Sequence, residues 1–378
     1  MLHINEIEMY YAPRKNIMGR ITNIQGEPEM NEDESAFLCG LIKKYNPNKI
    51  VEVGIAGGGT SAIILSCLQL LAMKDSKLYS VDYSQKFYRN NNYQSGFLGK
   101  EAREVLGLSE DNHVILTGDI ACSFKEIQDG IDLLIIDTMH ILPGELLDFI
   151  TLLPALNENA IVVLHDVALA YMLETHGSYI ATNVLFSCAV GDKYINTFEF
   201  SGRYSNIAAI KVNDKTKDWV YNVFLGLLVP WMYIPDEKQV MGYRTVIKNN
   251  YPKQLLELFD TSLQLNKKKL KTSIKFKWLF PFNKVNKGDR IVLFGTGEVG
   301  KAFIKQITHT GYCDIVGIID NDEKTWDATV QSPDNIKYMQ YDFVVVAVAN
   351  EDVAGKIKRQ LSDLGIKDNK VIWCDYYI

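Results

Sequence analysis

At 378 residues, with 47% hydrophobic and 23% charged side chains, the chain has the composition of an ordinary globular protein and the length of two domains. A net charge of −6 leaves no global basic field, which argues against a nucleic-acid partner. The six cysteines (Cys39, Cys67, Cys122, Cys188, Cys313, Cys374) are scattered without a C-x-x-C, as expected of reduced cytoplasmic thiols rather than a disulfide frame or a zinc site.

The N-terminal stretch MLHINEIEMYYAPRKN lacks the apolar segment of a signal peptide. Residues 1–30 show no clear periodicity and read as a substrate-side lid. Ala36, Phe37, Leu41 and Ile42 have helical spacing over 31–45, and Pro47 stops that helix. Short apolar runs then alternate with helical segments: 49–54, 77–82, 113–119, 131–137 and 160–166. Continuous apolar strands separated by helices predict a parallel sheet covered on both faces. Runs at 193–200 and 206–212 read as a terminal antiparallel pair, giving seven strands.

From 213 to about 277 the pattern is helical, notably at 219–228 and 253–265. Residues 219–234 are too short for a membrane span and are interrupted by Asn222 and Pro230, so they read as a core helix. Lys267, Lys268, Lys269, Lys271, Lys275 and Lys277 form a run expected to be a solvated helix face. A second, smaller α/β unit starts near Gly288, with strands at 290–295, 314–320, 341–349 and 370–374. The predicted organisation is a first α/β domain over 1–212, a helical connector over 213–287 and a small Rossmann-like domain over 288–378.

Two strand-to-helix turns carry the chemistry. The first is KIVEVGIAGGGTS (49–61), where a strand breaks into Gly54, Gly57, Gly58 and Gly59 before a helix. Backbone at such a turn can approach a ligand closely. Glu52, expected at the mouth of this strand, suits a cation or a hydroxyl-bearing ligand better than a pyrophosphate. The dinucleotide pattern G-x-G-x-x-G is absent, since Ile55 and Ala56 follow Gly54. Asp82, Asp119, Asp137 and Asp166 end successive strands, where open α/β sheets bind ligands. Asp82, 28 positions after Gly54 and followed by Tyr83, could accept hydrogen bonds from both hydroxyls of a ribose, and Asp119 would sit at an adenine edge.

The pattern E-x-G-x-x-x-G resembles the first motif of class I methyltransferases that use S-adenosylmethionine (SAM). With VEVGIAGGGTS, LYSVDYS, IDLLIIDTMH and AIVVLHD together, residues 49–212 resemble a small-molecule O-methyltransferase of the macrocin O-methyltransferase and cephalosporin-hydroxylase-like branch. The resemblance implies a seven-stranded class I sheet and SAM bound by Glu52, Gly54, Gly58, Asp82, Tyr83 and Asp119. It places the chemistry at Asp137, His140, His165 and Asp166. Many relatives read D-G-D-H or D-G-x-H after the fourth strand, whereas this chain reads Asp137, Thr138, Met139, His140. Two routes fit these residues. A histidine could serve as general base toward an acceptor hydroxyl. Alternatively, Asp137 and Asp166 could hold Mg²⁺ or Mn²⁺, lowering the pKa of that hydroxyl.

The second turn is Gly295-x-Gly297-x-x-Gly300, after a strand and before a helix, with Asp320 ending the next strand 25 positions on. This unit resembles the small Rossmann-type domains of bacterial polysaccharide-biosynthesis proteins, which implies a nucleotide or nucleotide-sugar site or a structural module. No Y-x-x-x-K pair of a reductase is present. The expected function is SAM-dependent O-methylation of a small hydroxylated acceptor, a sugar or sugar nucleotide, in surface-glycan or secondary-metabolite synthesis. The alternatives are a two-domain NAD(P)-dependent oxidoreductase, disfavoured by Glu52 and the missing first G-x-G, and a non-catalytic SAM- or nucleotide-sensing scaffold. A homo-oligomer is left open.

Overall fold

The computed structural model describes residues 1–21, 28–118, 120, 126–173, 178–196, 205–272 and 278–373. The chain divides into two compact units, 1–272 and 273–378.

The strands of the first unit are β1 (Leu2–Ile4), β2 (Lys49–Val53), β3 (Lys77–Asp82), β4 (His113–Thr117), β5 (Ile131–Ile136), β6 (Leu156–His165), β7 (Asp192–Ile195) and β8 (Ile207–Lys211). They form one sheet in the order β1-β7-β8-β6-β5-β2-β3-β4. Strands β2 to β6 pair in parallel, while β8 runs antiparallel to both β6 and β7. Side chains alternate between the two faces of each strand. Ile50, Leu133, Ile135, Ile161 and Val163 bury against Ile17, Phe37, Leu41 and Ile64 from the N-terminal helices. Val51, Leu134, Ile136, Val162 and Leu164 bury on the other face with Phe149, Phe224, Trp231 and Phe259. Apolar residues on both faces explain why these strands read as unbroken hydrophobic runs.

Three expectations are corrected. The sheet has eight strands rather than seven, because β1 adds in parallel to β7, with the N-terminal ammonium 2.9 Å from Asp192. Residues 1–21 are accordingly not a lid: they supply β1 and the helix Ala12–Met18, whose Ile17 is fully buried. Periodicity missed this edge strand because it is only three residues long. The helices placed in a connector, among them Tyr221–Gly226 and Glu237–Asn250, are built into the first unit, which runs to Thr272. Phe224, Trp231, Tyr243 and Phe259 are the apolar anchors that draw them onto the sheet. In the last helix, Lys253–Thr272, Lys268 is exposed and Lys267 half-buried. The side chains of Lys269 and Lys271 and residues Lys275 and Lys277 lie outside the described residues. No helix among the described residues is long and apolar enough to cross a membrane.

The second unit is a five-stranded parallel sheet. Its strands are β9 (Arg290–Phe294), β10 (Asp314–Ile319), β11 (Val330–Gln331), β12 (Phe343–Val346) and β13 (Val371–Ile372), in the order β11-β10-β9-β12-β13. The two-residue β11 was not expected; it is too short to leave a hydrophobic pattern. Helices Glu298–Thr310 and Glu351–Asp363 bury Phe303, Ile307, Ile357 and Leu361.

The chain connection reverses between β2 and β5, and their ends meet at Gly54. This residue has φ +92, and a Cβ there would lie 1.8 Å from the Asp137 carbonyl oxygen. Gly54→Ala should therefore destabilise the first unit by about 3 kcal/mol or more, a fall in Tm of about 6–12 °C. Thermal unfolding followed by circular dichroism checks this, and an unchanged Tm would overturn it.

Candidate active site

The turn after β2 is built by close packing of backbone. Gly54, Ala56 and Gly58 all have positive φ. A Cβ on Gly58 would meet the Gly99 amide nitrogen at 2.8 Å, and one on Gly59 would meet the Pro28 Cα at 2.6 Å. The glycines thus first let neighbouring segments close on the turn. Asp82 then clamps it: Oδ2 accepts from the Ile55 and Ala56 amides, each at 3.0 Å, and Oδ1 from the Ser84 amide at 2.9 Å. The carboxylate assigned to ribose hydroxyls already receives three backbone donors. Tyr83 beside it is 67% exposed. Asp119 lies outside the described residues.

Glu52 is not at the mouth of the strand. It lies buried beneath the turn, where Oε2 accepts from the Ser61 hydroxyl at 2.5 Å and the Ser80 hydroxyl at 2.7 Å. Ser80 in turn meets His113 Nε2 at 3.0 Å. Glu52 Oε1 has no partner among the described residues. Burial pushes the Glu52 carboxyl up to about 7 against the pull of both serine hydroxyls, and burial pushes His113 down to about 4. Alternation along β2 explains the misplacement: Val51 and Val53 face one side of the sheet, and Glu52, like Ile50, faces the side packed by the N-terminal helices and by the helix that carries Ser61.

The four residues proposed for the chemistry do come together. Asp137 follows β5, His165 ends β6, and His140 and Asp166 both sit at φ +59, turning their side chains back toward the strand ends. His140 Nε2 lies 3.0 Å from Asp166 Oδ2 and 3.5 Å from Asp137 Oδ1. His165 Nδ1 lies 3.0 Å from Asp137 Oδ1, and its Nε2 lies 3.3 Å from Glu34 Oε2. Both ring nitrogens of His165 thus face carboxylate oxygens, a setting that favours the imidazolium.

Sequence reasoning missed Glu34, Glu145, Thr138, Thr182 and Asn206. Buried Glu145 accepts from the Thr138 hydroxyl at 2.8 Å and from the His140 amide through the same oxygen. Thr182 Oγ1 is 3.3 Å from His140 Nδ1, and Asn206 donates to Asp166 Oδ1 at 2.5 Å. The spacing Asn31-x-x-Glu34 signals a helix cap, but nothing local points Glu34 at a histidine 131 positions away.

Burial lowers the His140 pKa, but the Asp166 hydrogen bond and the charges of Asp137 and Glu145 outweigh it and leave the pKa raised. The same balance leaves His165 well above the ordinary imidazole value, with Asp137 the chief cause after burial. Burial raises Asp166, yet its bonds to His140 and Asn206 and the charge of His165 bring it net below the usual carboxylate value.

Ligand atoms of Asp137, His140 and Asp166 all lie within 4.8 Å of one another. Two carboxylates and an imidazole at that separation suit Mg²⁺ or Mn²⁺ with water completing the shell.

Glu52 makes a pH prediction. Its carboxyl is raised from 4.5 to about 7, so between those values the unfolded chain ionises while the folded one keeps the proton. Its contribution therefore falls as pH rises through this window and is level above it. The stability of Glu52→Gln minus that of wild type should grow from about pH 4.5 to about pH 7 and then plateau, read by urea unfolding. Parallel curves would contradict it.

Residues 51–167 match the family model described as a methyltransferase domain, and residues 287–372 match one described as C2185-like, N-terminal. No curated protein matches the chain. Among solved structures, the O-methyltransferase TomG of Streptomyces achromogenes, involved in tomaymycin synthesis and in complex with SAM, is 13% identical with a TM-score of 0.39, over 55% of this chain and 92% of that one. The O-methyltransferase of Bacillus cereus in complex with SAH is 13% identical with a TM-score of 0.39, over 53% and 91%. The SAH-bound methyltransferase PaMTH1 of Podospora anserina is 13% identical with a TM-score of 0.38, over 54% and 87%. At these values the overlaps add no argument of their own. The family match covers the glycine turn, Asp82 and all four residues of the cluster, so residues 51–167 match a methyltransferase domain.

Proposed function

We propose that the protein transfers a methyl group from SAM to a hydroxyl oxygen of a small acceptor held at Asp137, His140 and Asp166. The observation that carries this is the convergence of those three ligand atoms within 4.8 Å at the strand ends. Asp137 is in backbone contact with Gly54, so the glycine turn and the cluster adjoin. The turn braced by Asp82, with exposed Tyr83 beside it, would hold the cofactor, which supplies a methyl group on a sulfonium when bound. Asp137, Asp166 and His140 would hold Mg²⁺ or Mn²⁺, whose chemistry there is to lower the pKa of an acceptor hydroxyl. Glu145 and Thr182 fix His140 through its amide and Nδ1, leaving Nε2 directed at the two acids. His165 and Asn206 orient Asp137 and Asp166. A second reading takes His140 as general base; Asp166, 3.0 Å from its Nε2, would stabilise the imidazolium formed once the ring has taken the acceptor's proton.

A sugar or sugar-nucleotide acceptor is proposed on the resemblance of the second unit to Rossmann-type domains of polysaccharide biosynthesis. A nucleotide is proposed for the turn at Gly295, Gly297 and Gly300. Gly295 and Gly300 close that turn on itself, a Cβ on Gly300 falling 2.0 Å from the Gly295 carbonyl oxygen, while a Cβ on Gly297 would meet nothing within 4 Å. Asp320 Oδ2 accepts from the Thr296 amide and hydroxyl, each at 2.7 Å. The free thiols of Cys39, Cys67, Cys188 and Cys313 support a cytoplasmic setting.

Transfer of a labelled methyl group from SAM to a panel of nucleotide sugars and simple phenols tests the reading. Activity should be lost in EDTA and restored by Mn²⁺ or Mg²⁺. Full activity in EDTA, together with loss on His140→Ala, would remove the ion and leave the base. No transfer to any acceptor, with no SAM binding by calorimetry, would overturn the methyl-transfer reading.

The ion also carries a pH signature. A ligating His140 must lose its proton, and that pKa is raised above 6.5. Mn²⁺ affinity should therefore climb as pH rises through and beyond 6.5, the proton being the competitor. In His140→Asn that climb should be largely gone, as read by Mn²⁺ titration.

A further inference from the structure

Glu34 does two things at once. It stands in the first turn of the helix Glu32–Tyr45, where Oε2 accepts from the Asn31 amide at 2.7 Å and completes a capping box with the Asn31 side chain. A cap needs no more than that. Yet the side chain is 5% exposed and both oxygens are used further: Oε2 faces His165 Nε2 at 3.3 Å, and Oε1 accepts from Asn206 Nδ2 at 3.3 Å.

The two side-chain partners of Glu34 each contact one of the site's acids. His165 Nδ1 contacts Asp137 Oδ1 at 3.0 Å. Asn206 Nδ2 donates to Asp166 Oδ1 at 2.5 Å, and its Oδ1 accepts from the Ala168 amide at 3.1 Å. A single carboxylate on a helix thus fixes a histidine from β6 and an asparagine just before β8. We propose that Glu34 is a positioning residue of the methyl-transfer site, acting through His165 on Asp137 and through Asn206 on Asp166. This rests on the reading that Asp137, His140 and Asp166 are the reaction centre.

The same segment also reaches the glycine turn. Pro28 lies against Gly59, and Glu29 bonds Arg89 at 2.7 Å and Tyr88 at 3.1 Å. Arg14 ties the intervening backbone at the Met30 carbonyl, 2.7 Å away. Residues 28–34 therefore touch both the turn and, through Glu34, the histidine and asparagine that contact the acids.

Capping and positioning separate by mutation. Glu34→Gln can still accept from the Asn31 amide but loses the charge facing His165. Asn31→Ala loses the side-chain half of the box and leaves Glu34 facing His165. Full-length protein labelled with ¹⁵N-histidine is compared by NMR, and Mn²⁺ affinity is titrated separately. In wild type both ring N–H groups of His165 should be visible and slow to exchange. In Glu34→Gln these signals should move or vanish, and Mn²⁺ should bind about 10–100-fold more weakly, the usual cost of removing a group that orients ligands. Asn31→Ala should lower Tm while leaving both readouts as in wild type. Wild-type ring signals and Mn²⁺ affinity in Glu34→Gln would overturn the proposal, as would equal loss in Asn31→Ala. If wild type binds no Mn²⁺, the ion reading falls, and the His165 signals alone decide on Glu34. Should Glu34→Gln not fold, Glu34→Asp, which keeps the charge but withdraws it by one methylene, is read by the same two measurements.

Discussion

The candidate active site depends on a contact between two backbones. Gly54 ends β2, Asp137 follows β5, and the absent Cβ of Gly54 lets the Asp137 carbonyl occupy space that any other residue would fill. The Asp137 amide donates to the Val53 carbonyl at 2.9 Å, so the two strand ends are locked side by side. This lock makes the glycine turn and the acid–imidazole cluster one site. It sits where the chain connection reverses, the place where open α/β sheets leave a crevice.

Each unit braces its glycine turn in the same way. In the first, Asp82 at the end of the second central strand accepts from two amides of the turn. In the second, Asp320 after β10 accepts from the Thr296 amide and hydroxyl. Exposed amides at a tight turn need acceptors, and the carboxylate of the neighbouring strand is the nearest group able to take two of them. A carboxylate in that position is therefore explained by backbone bonding before any ribose is invoked.

The cluster concentrates like charge in little solvent. Asp137, Asp166, Glu34 and Glu145 surround two imidazoles, and burial would expel such a group of acids unless cations or protons balanced them. The fold sets His165 between Asp137 and Glu34, where the acids raise its pKa and favour a balancing positive charge. His140 is different. Its Nε2 lies between Asp137 and Asp166, so a proton or a metal ion can occupy the same place. On the proposed function, the two histidines divide the work, His165 balancing the acids and His140 taking part in the chemistry.

The parallel α/β sheet, the second α/β unit and the position of Asp137, His140, His165 and Asp166 around neighbouring strand ends were legible in the sequence, whereas the meeting of their side chains was not. The signals for these are local: apolar runs of strand length, glycines at a strand-to-helix turn, and polar residues where apolar runs stop. The sequence by itself could not determine the partners of those residues. Glu34 reaches His165, Asn206 reaches Asp166, and Glu52 turns inward to Ser61 and Ser80. Each link joins positions far apart in the chain or depends on which face of a strand a side chain takes, and local patterning records neither. The eighth strand and the placement of the C-terminal helices of the first unit were likewise decided only by folding. A three-residue edge strand has no period to read, and a helix shows that it has an apolar stripe without showing which surface will cover it.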